Sequence, residues 1–237
     1  FESGEILKTL YDNYLSDMDL YQASKEAILR SRALFSNIYR ELNKESKNFS
    51  PGLIEEKRKT RDYFSAIQWL TMAHIVNQSF QLKEHITMPL MADSDSHFRL
   101  FLGDIGMFSY QSGINASQFI SSDRETTLSG IFFENFAANE LTAKGHKLFY
   151  WRGKTSSEIE FIIESGGKLY PIDVKKGRGV LNSLEKFASH NRFECAVKVS
   201  KNNYGYDEGR KLLTVPFYYF PFVAAELANG NFTVKSN

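Results

Sequence analysis

The chain has 237 residues, of which 42% are hydrophobic and 24% charged, a composition typical of folded globular proteins. This length allows one large domain or two smaller ones. The formal net charge of +1 argues against a strongly basic protein that binds nucleic acid constitutively. The single cysteine, Cys195, excludes an intramolecular disulfide framework and fits a reducing compartment. Because the sequence shows no signal peptide and no apolar run of about 18 residues, we expect a soluble, cytoplasmic protein that does not associate with membranes.

The N-terminal part of the chain predicts helices. Apolar residues at helical spacing indicate two helices between residues 4 and 48, with Asp19 as the N-cap of the second. Ser50 and Pro51 indicate the start of a further helix that extends to Val76, because a capping residue followed by proline suits a first helical turn.

The next segment, residues 77–90, alternates between polar and apolar side chains, which fits the β-wing of a winged helix. We therefore predict an all-helical, winged-helix-like lobe over residues 1–115. In such a lobe a basic cluster could contact DNA phosphates. Its members are Lys57, Arg58, Lys59 and Arg61. A solvated helix face is the alternative interpretation, and the shortness of the run favours it.

A segment rich in Ser, Asn and Gly, from Gly106 to Asp123, is the predicted linker to a second domain over residues 116–237. It follows a predicted strand over residues 98–102. Asp104 is interpreted as a turn or capping residue.

The second domain predicts an αβββαβ core, so that the whole chain is of the α/β (α+β) class with a mixed sheet flanked by helices. Gly166 and Gly167 indicate a two-residue hairpin turn between the second and third strands. The predicted elements are a helix of about 18 residues from Gly130, strands over 146–152, 157–164 and 168–175, a helix over 181–190, a strand over 194–199 and a late aromatic strand over 213–220.

The first candidate site residue is Glu134, on the predicted helix. At the angular spacing of a helix it falls in the same arc as Ile131, Ala137, Ala138 and Leu141. A carboxylate within an apolar stripe needs a partner, a proton or a metal.

The two strands joined by the glycine turn carry charges at alternate positions. Glu158 and Glu160 are predicted to share one face of the first strand, and Asp173 and Lys175 to share one face of the second. If the strands are neighbours, these groups converge. A helix carboxylate, a strand carboxylate and Asp-x-Lys on the next strand form the pattern of phosphodiester hydrolysis that depends on Mg²⁺ or Mn²⁺. The alternative is an exposed sheet face with cross-strand salt bridges.

These pieces resemble the restriction-endonuclease-like PD-(D/E)XK superfamily. More closely, they are similar to the C-terminal domain of unknown function that follows the P-loop module in a prokaryotic family of AAA-type ATPases. The resemblance covers roughly residues 55–190. The motifs that carry it are Glu134-Asn135-Phe136, Phe149-Tyr150-Trp151-Arg152, Glu158-Ile159-Glu160-Phe161 and Pro171-Ile172-Asp173-Val174-Lys175.

The resemblance implies a Mg²⁺-dependent nuclease that acts on DNA. Lys175 would position the attacking water, and Lys176 would bind nucleic acid together with the basic cluster. The implied metal ligands are Glu160, Asp173, the carbonyl of Val174 and Glu134. The resemblance also implies an N-terminal P-loop ATPase module outside this chain, and a first residue other than Met fits a fragment of a longer protein.

Two positions depart from the family pattern. The family has Asp where this chain has Glu160, and Glu where it has Asp173, so each carboxylate is kept while its reach changes by one methylene. Such a change fits a metal site preserved by compensation, or a site that no longer binds metal. A catalytically silent module that binds nucleic acid or protein for the ATPase is therefore the alternative function. A structural oligomerisation domain is a third.

Other features mimic known sites. Gly153-Lys154-Thr155 resembles the end of a P-loop, but Leu148 stands where the first glycine is required, so we predict no ATP site. Trp151 and the aromatic run 217–220 could stack on bases, although aromatic residues in strands usually pack in a core. Cys195, in a strand-like run, is also expected to be buried. The histidines share no spacing typical of zinc ligands; they are His74, His85, His97, His146 and His190.

Overall fold

The computed structural model describes residues 3–22, 24–114, 127–154, 157–174, 182–230 and 232–234. Its helices are α1 (Ser3–Tyr21), α2 (Lys25–Phe35), α3 (Ile38–Leu42), α4 (Phe64–Met72), α5 (Ile105–Ser112), α6 (Thr127–Ala143), α7 (Asn182–Ala188) and α8 (Phe220–Ala228). Its strands are β1 (Val76–Leu82), β2 (Phe98–Leu102), β3 (Leu148–Arg152), β4 (Glu158–Ile159), β5 (Phe161–Ser165), β6 (Lys168–Val174), β7 (Ala196–Ser200), β8 (Gly205–Asp207) and β9 (Leu212–Pro216). Helices and two mixed sheets confirm the predicted α+β class.

The chain divides into two compact units whose segments alternate along the sequence. The first unit comprises Phe1–Gln78 and Arg99–Asn135, and the second comprises Ser79–Phe98 and Phe136–Asn237. The division passes through β1, β2 and α6. The domain boundary predicted at residues 115 and 116 falls in the segment 115–126, outside the described residues, and stays a prediction.

In the first unit, the residues up to 48 form three helices where two were predicted. The prediction that Asp19 caps the second helix is wrong. Ser24 is the N-cap of α2, because its backbone is extended and its Oγ accepts a hydrogen bond from the Ala27 N–H at 3.1 Å. Asp19 lies inside α1, where its carboxylate accepts a hydrogen bond from Arg32 at 2.7 Å.

The helix predicted over residues 50–76 is interrupted. Pro51 does start a helical turn, but that turn is a 3₁₀ helix of three residues. Lys57 has a φ of 64°, in the left-handed region that an α-helix excludes. The Asp62 carboxylate then accepts the Lys59 N–H at 2.9 Å, a local hydrogen bond that competes with helix formation. The basic cluster therefore lies on exposed turns and a second 3₁₀ helix (Thr60–Tyr63).

The predicted β-wing is also wrong. Residues 83–90, all of them described, contain no strand that could form a hairpin with β1. The neighbours of β1 are β2 and β3, in a sheet of order β2-β1-β3-β4. The pairing with β3 is parallel, with Ser79 opposite Leu148 and Leu82 opposite Trp151. A parallel neighbour has to come from a distant part of the chain, which local alternation does not reveal.

The segment after β1 confirms two predictions and corrects a third. β2 matches the predicted strand over residues 98–102. Asp104 caps α5, since its carboxylate accepts hydrogen bonds from the N–H groups of Gly106 and Met107. The first part of the predicted linker is therefore helical, because α5 occupies it.

The second unit contains a five-stranded sheet of order β5-β6-β7-β9-β8. β5 and β6 form the predicted hairpin: Gly166 and Gly167 have φ of 56° and 71°, which a tight two-residue turn requires and glycine adopts most readily. β7 lies between β6 and β9 and is parallel to both. β8 is antiparallel to β9. A mixed sheet is thus confirmed, but β3, the first strand of the predicted αβββαβ core, lies in the other sheet, beside β1 and β4.

The core of the second unit is built around aromatic and branched side chains. Trp151 is fully buried and meets Phe187 edge to face, with ring centroids 5.3 Å apart. This confirms the core interpretation of Trp151. Cys195 is buried as predicted, and burial raises the pKa of its thiol to about 11.

The predicted strand 213–220 ends early, because β9 stops at Pro216 and the aromatic run after it begins a helical segment.

α6 has 17 residues, and one polar side chain joins it to an edge strand. Asn135, in the first unit, accepts the Leu102 N–H through Oδ1 at 2.9 Å and donates from Nδ2 to the Leu102 carbonyl, also at 2.9 Å. The side-chain amide thus satisfies both backbone groups of a residue in β2, as a neighbouring strand would.

We predict that Asn135→Leu destabilises the protein by about 2 to 4 kcal/mol, because it leaves two buried backbone groups of Leu102 without these hydrogen bonds. Urea unfolding measures this difference in the free energy of unfolding. Glu140→Gln, on the same helix, is the control and should change stability by less than about 0.5 kcal/mol. Equal stability of the two variants would show that the Asn135 amide contributes nothing.

Candidate functional site

The strand predicted over residues 157–164 is divided at Glu160. β4, before it, pairs with β3, whereas β5, after it, pairs with β6 in the other sheet. Glu160 is therefore the bend between two strands, and the continuous strand predicted over residues 157–164 is wrong. That Glu158 and Glu160 share one face stays a prediction. The backbone N–H of Glu158 donates to Ser183 Oγ at 3.3 Å.

The hairpin brings Glu160 to the end of β6. Ser165 lies opposite Lys168, and the register runs on to Phe161 opposite Ile172. The next residues in each direction are Glu160 and Asp173, which this register makes neighbours. The Val174 N–H donates to Glu160 Oε2 at 3.3 Å, so the carboxylate lies against the backbone that follows Asp173.

Burial distinguishes this arrangement from an ordinary polar sheet face. Glu160 is only 3% exposed, and Asp173 is half-buried. A buried carboxylate is costly unless hydrogen bonds or positive charge compensate it. The alternative of an exposed face with salt bridges therefore does not describe Glu160.

Two of the predicted site residues, Lys175 and Lys176, lie outside the described residues. They follow Val174, the last residue of β6. Their predicted roles, in positioning water and in binding nucleic acid, stay predictions.

Glu134 belongs to the first unit and has a partner there. Both of its carboxylate oxygens accept hydrogen bonds from Lys47 Nζ, at 2.6 and 2.7 Å. Glu134 is 6% exposed and shares its helix face with Ile131, Ala137 and Leu141, which are buried as predicted. A buried carboxylate needs a partner, a proton or a metal, and the structure shows that Glu134 has a cationic partner. The predicted role of Glu134 as a metal ligand stays a prediction.

The basic cluster is exposed at every position. Arg58 Nε donates to Glu55 Oε1 at 2.7 Å, so part of its charge is balanced locally. Lys57, Lys59 and Arg61 complete the cluster, and their contact with DNA stays a prediction.

Among the described residues, no three His, Cys, Asp or Glu side chains are grouped so that they could hold a metal ion. Near Glu160, the oxygen donors that the sequence pattern named are the carboxylate of Asp173 and the carbonyl of Val174. The helices of the described residues include none that is both long and apolar enough to cross a membrane.

Two lysines were missed in the sequence, the half-buried Lys47 and the buried Lys198. Lys47 lies 87 residues from Glu134, and nothing in its local sequence points to that partner. Lys198 lies in β7, is 7% exposed, and has Asp173 as its register partner in β6. The local sequence gave no signal for Lys198 either, since a lysine that alternates with Val197 and Val199 is typical of a strand with one solvated face.

The glycine of the P-loop mimic has a packing role. A Cβ atom at Gly153 would lie 2.9 Å from the Trp151 ring and 2.7 Å from Ser157 Oγ, so a larger residue would displace one of them. Close packing next to a core tryptophan accounts for this glycine without a bound phosphate.

One comparison identifies a domain in the chain. Residues 129–218 match the family model described as a domain of unknown function, DUF4143. This DUF4143 segment extends from α6 through β9 and contains Glu134, Glu160, Asp173 and Lys198. It supports the part of the sequence resemblance that concerned a domain of unknown function. No curated protein and no solved structure matches the chain.

We predict that the buried ion pair of the first unit is energetically coupled. Lys47→Met should destabilise the protein by about 3 kcal/mol, because it removes the cation bound to a buried carboxylate. Adding Glu134→Gln should recover about 2 kcal/mol of this loss. Urea unfolding of both single variants, the double variant and the exposed-site control Lys25→Met measures the coupling. Strictly additive effects would contradict it.

Proposed function

We propose that the DUF4143 segment carries a Mg²⁺-dependent site for hydrolysis of DNA phosphodiesters, with Glu160 and Asp173 as its central carboxylates. The observation that supports this proposal is the position of the Glu160 carboxylate. It is buried, accepts the Val174 N–H, and lies level with Asp173 at the end of a hairpin strand.

The available donor atoms fit Mg²⁺. The side-chain carboxylates of Glu160 and Asp173 and the main-chain carbonyl of Val174 are all oxygen ligands, the type that this ion prefers. Mg²⁺ sites commonly use only one or two carboxylates and leave the remaining positions to water and phosphate oxygens. Two carboxylates are therefore sufficient, even though the described residues contain no larger acidic group.

The exchanged carboxylates compensate each other at this position. Relative to the family pattern, Glu160 is longer by one methylene and Asp173 is shorter by one. The two residues follow the last register pair of the hairpin, Phe161 and Ile172, in each direction, so one carboxylate gains the methylene that the other loses. This favours a site that is preserved over one that has lost its metal.

Each protein group has a definite task in the proposed reaction. The Val174 N–H donates to the Glu160 carboxylate and orients it. This carboxylate and that of Asp173 would hold the ion. A bound Mg²⁺ would supply charge that polarises the phosphate and acidifies a water molecule. Lys175 would orient that water or offset the charge that develops on the phosphate. By the resemblance to C-terminal domains of AAA-type ATPases, the segment would serve a P-loop module elsewhere in the protein.

A second candidate function is a silent module of the same fold that binds nucleic acid or protein without cleavage. The contact of Lys47 with both carboxylate oxygens of Glu134 favours it, because this carboxylate is already engaged by a cation. Under this proposal the exposed basic cluster would bind DNA phosphates, and binding would weaken steeply as salt is raised.

The test is cleavage of plasmid and single-stranded DNA with Mg²⁺ or Mn²⁺, comparing the parent protein with Asp173→Asn and Glu160→Gln. We expect each variant to lower the cleavage rate by about 100-fold or more, because each removes the charge of a metal ligand. Glu185→Gln, an exposed carboxylate in α7 of the same unit, is the matched control and should cleave like the parent.

Cleavage by Asp173→Asn at the parental rate would contradict the nuclease proposal. Salt-sensitive DNA binding without cleavage by the parent would instead support the silent module. Circular dichroism of each variant would confirm that loss of cleavage does not reflect loss of the fold.

A further inference from the structure

A polar row crosses the five-stranded sheet of the second unit at the level of the proposed site. Asp173 in β6 has Lys198 in β7 as its register partner, and Lys198 has Thr214 in β9 as its partner on the other side. In parallel strands, paired residues project from the same face of the sheet. Glu160 immediately precedes β5, next to the register pair Phe161 and Ile172, and its carboxylate accepts the N–H of Val174, the residue after Asp173.

The residues around Lys198 show how unusual its position is. The neighbours Val197 and Val199, which alternate with it along β7, are completely buried. Lys198 itself is only 7% exposed, whereas lysine is almost never buried without a compensating charge. The strand therefore carries its positive charge into the sheet on the face that holds Asp173.

The charges in this row complement each other. Two carboxylates at adjacent positions in a buried environment repel each other, and a nearby cation relieves this repulsion. A metal ion bound to the carboxylates and the ammonium of Lys198 would be like charges. The lysine would then stabilise the pair without metal and oppose metal binding.

We propose that Lys198 is a positioning residue of the metal site, whose charge aligns the carboxylates of Asp173 and Glu160 and limits their affinity for divalent metal. This inference rests on the proposed function and adds a residue that the sequence motif does not contain. Under this proposal, removing the charge of Lys198 raises the affinity for metal and lowers the cleavage rate. Loss of a purely structural lysine would not change the two in opposite directions.

The experiment is calorimetric titration of Mn²⁺ into the parent protein, Lys198→Met and Lys198→Arg, followed by DNA cleavage assays on the same preparations. We expect Lys198→Met to bind Mn²⁺ about tenfold more tightly, because one nearby positive charge is removed. We also expect it to cleave DNA at least about tenfold more slowly, because the carboxylates lose their alignment. Lys198→Arg, which keeps the charge, should restore most of the parental values.

Thr214→Val, at the next position of the row, is the control and should leave Mn²⁺ affinity unchanged. If Lys198→Met does not fold, Lys198→Gln takes its place as a polar side chain of similar length. Unchanged or weaker Mn²⁺ binding in a folded variant, while the parent binds Mn²⁺ through Asp173, would overturn the role of Lys198 alone. Absence of Mn²⁺ binding by the parent, or binding that survives Asp173→Asn, would overturn the proposed function and this inference with it.

Discussion

The register of the β5 and β6 hairpin is the constraint on which the candidate site depends. Gly166 and Gly167 allow a two-residue turn, and that turn determines which residues of the two strands face each other. A slip by one residue would move every side chain of the hairpin to the opposite face. Glu160 would then leave the level of Asp173 and Lys198, and its carboxylate would no longer meet the Val174 N–H. The chemistry of the site is thus specified by a turn that contains no functional group.

Both units place charged side chains where burial makes charge expensive, and in each unit the described contacts or register supply compensation. In the first unit, Lys47 contacts both oxygens of Glu134. In the second, a backbone N–H meets Glu160, and Lys198 shares the row of Asp173. Apolar residues would serve a core equally well or better, since buried ion pairs contribute little net stability. Groups retained at such cost are typical of binding and catalytic sites, which is why the carboxylates of the second unit support a functional interpretation.

Local signals in the sequence were sufficient for several elements. The glycine pair predicted the hairpin, the apolar stripe predicted α6 with Glu134 on its buried face, and Asp104 was interpreted correctly as a cap. The failures share a physical cause, which is that other interactions override periodicity. A left-handed residue at Lys57 interrupts the helix predicted over residues 50–76. The parallel pairing of β1 with β3, and the contact of Lys47 with Glu134, join residues far apart in sequence, so no local pattern could reveal them.

The central claim is that a divalent metal binds between the carboxylates of Glu160 and Asp173. A crystal of the protein soaked in Mn²⁺, with diffraction recorded at a wavelength that gives an anomalous signal from manganese, tests it most directly. We expect an anomalous peak within about 2.0 to 2.3 Å of an oxygen atom from each carboxylate, the distance range of oxygen ligands to small divalent ions. Both carboxylates resolved with no manganese peak beside them, while manganese appears elsewhere in the same crystal, would contradict the account.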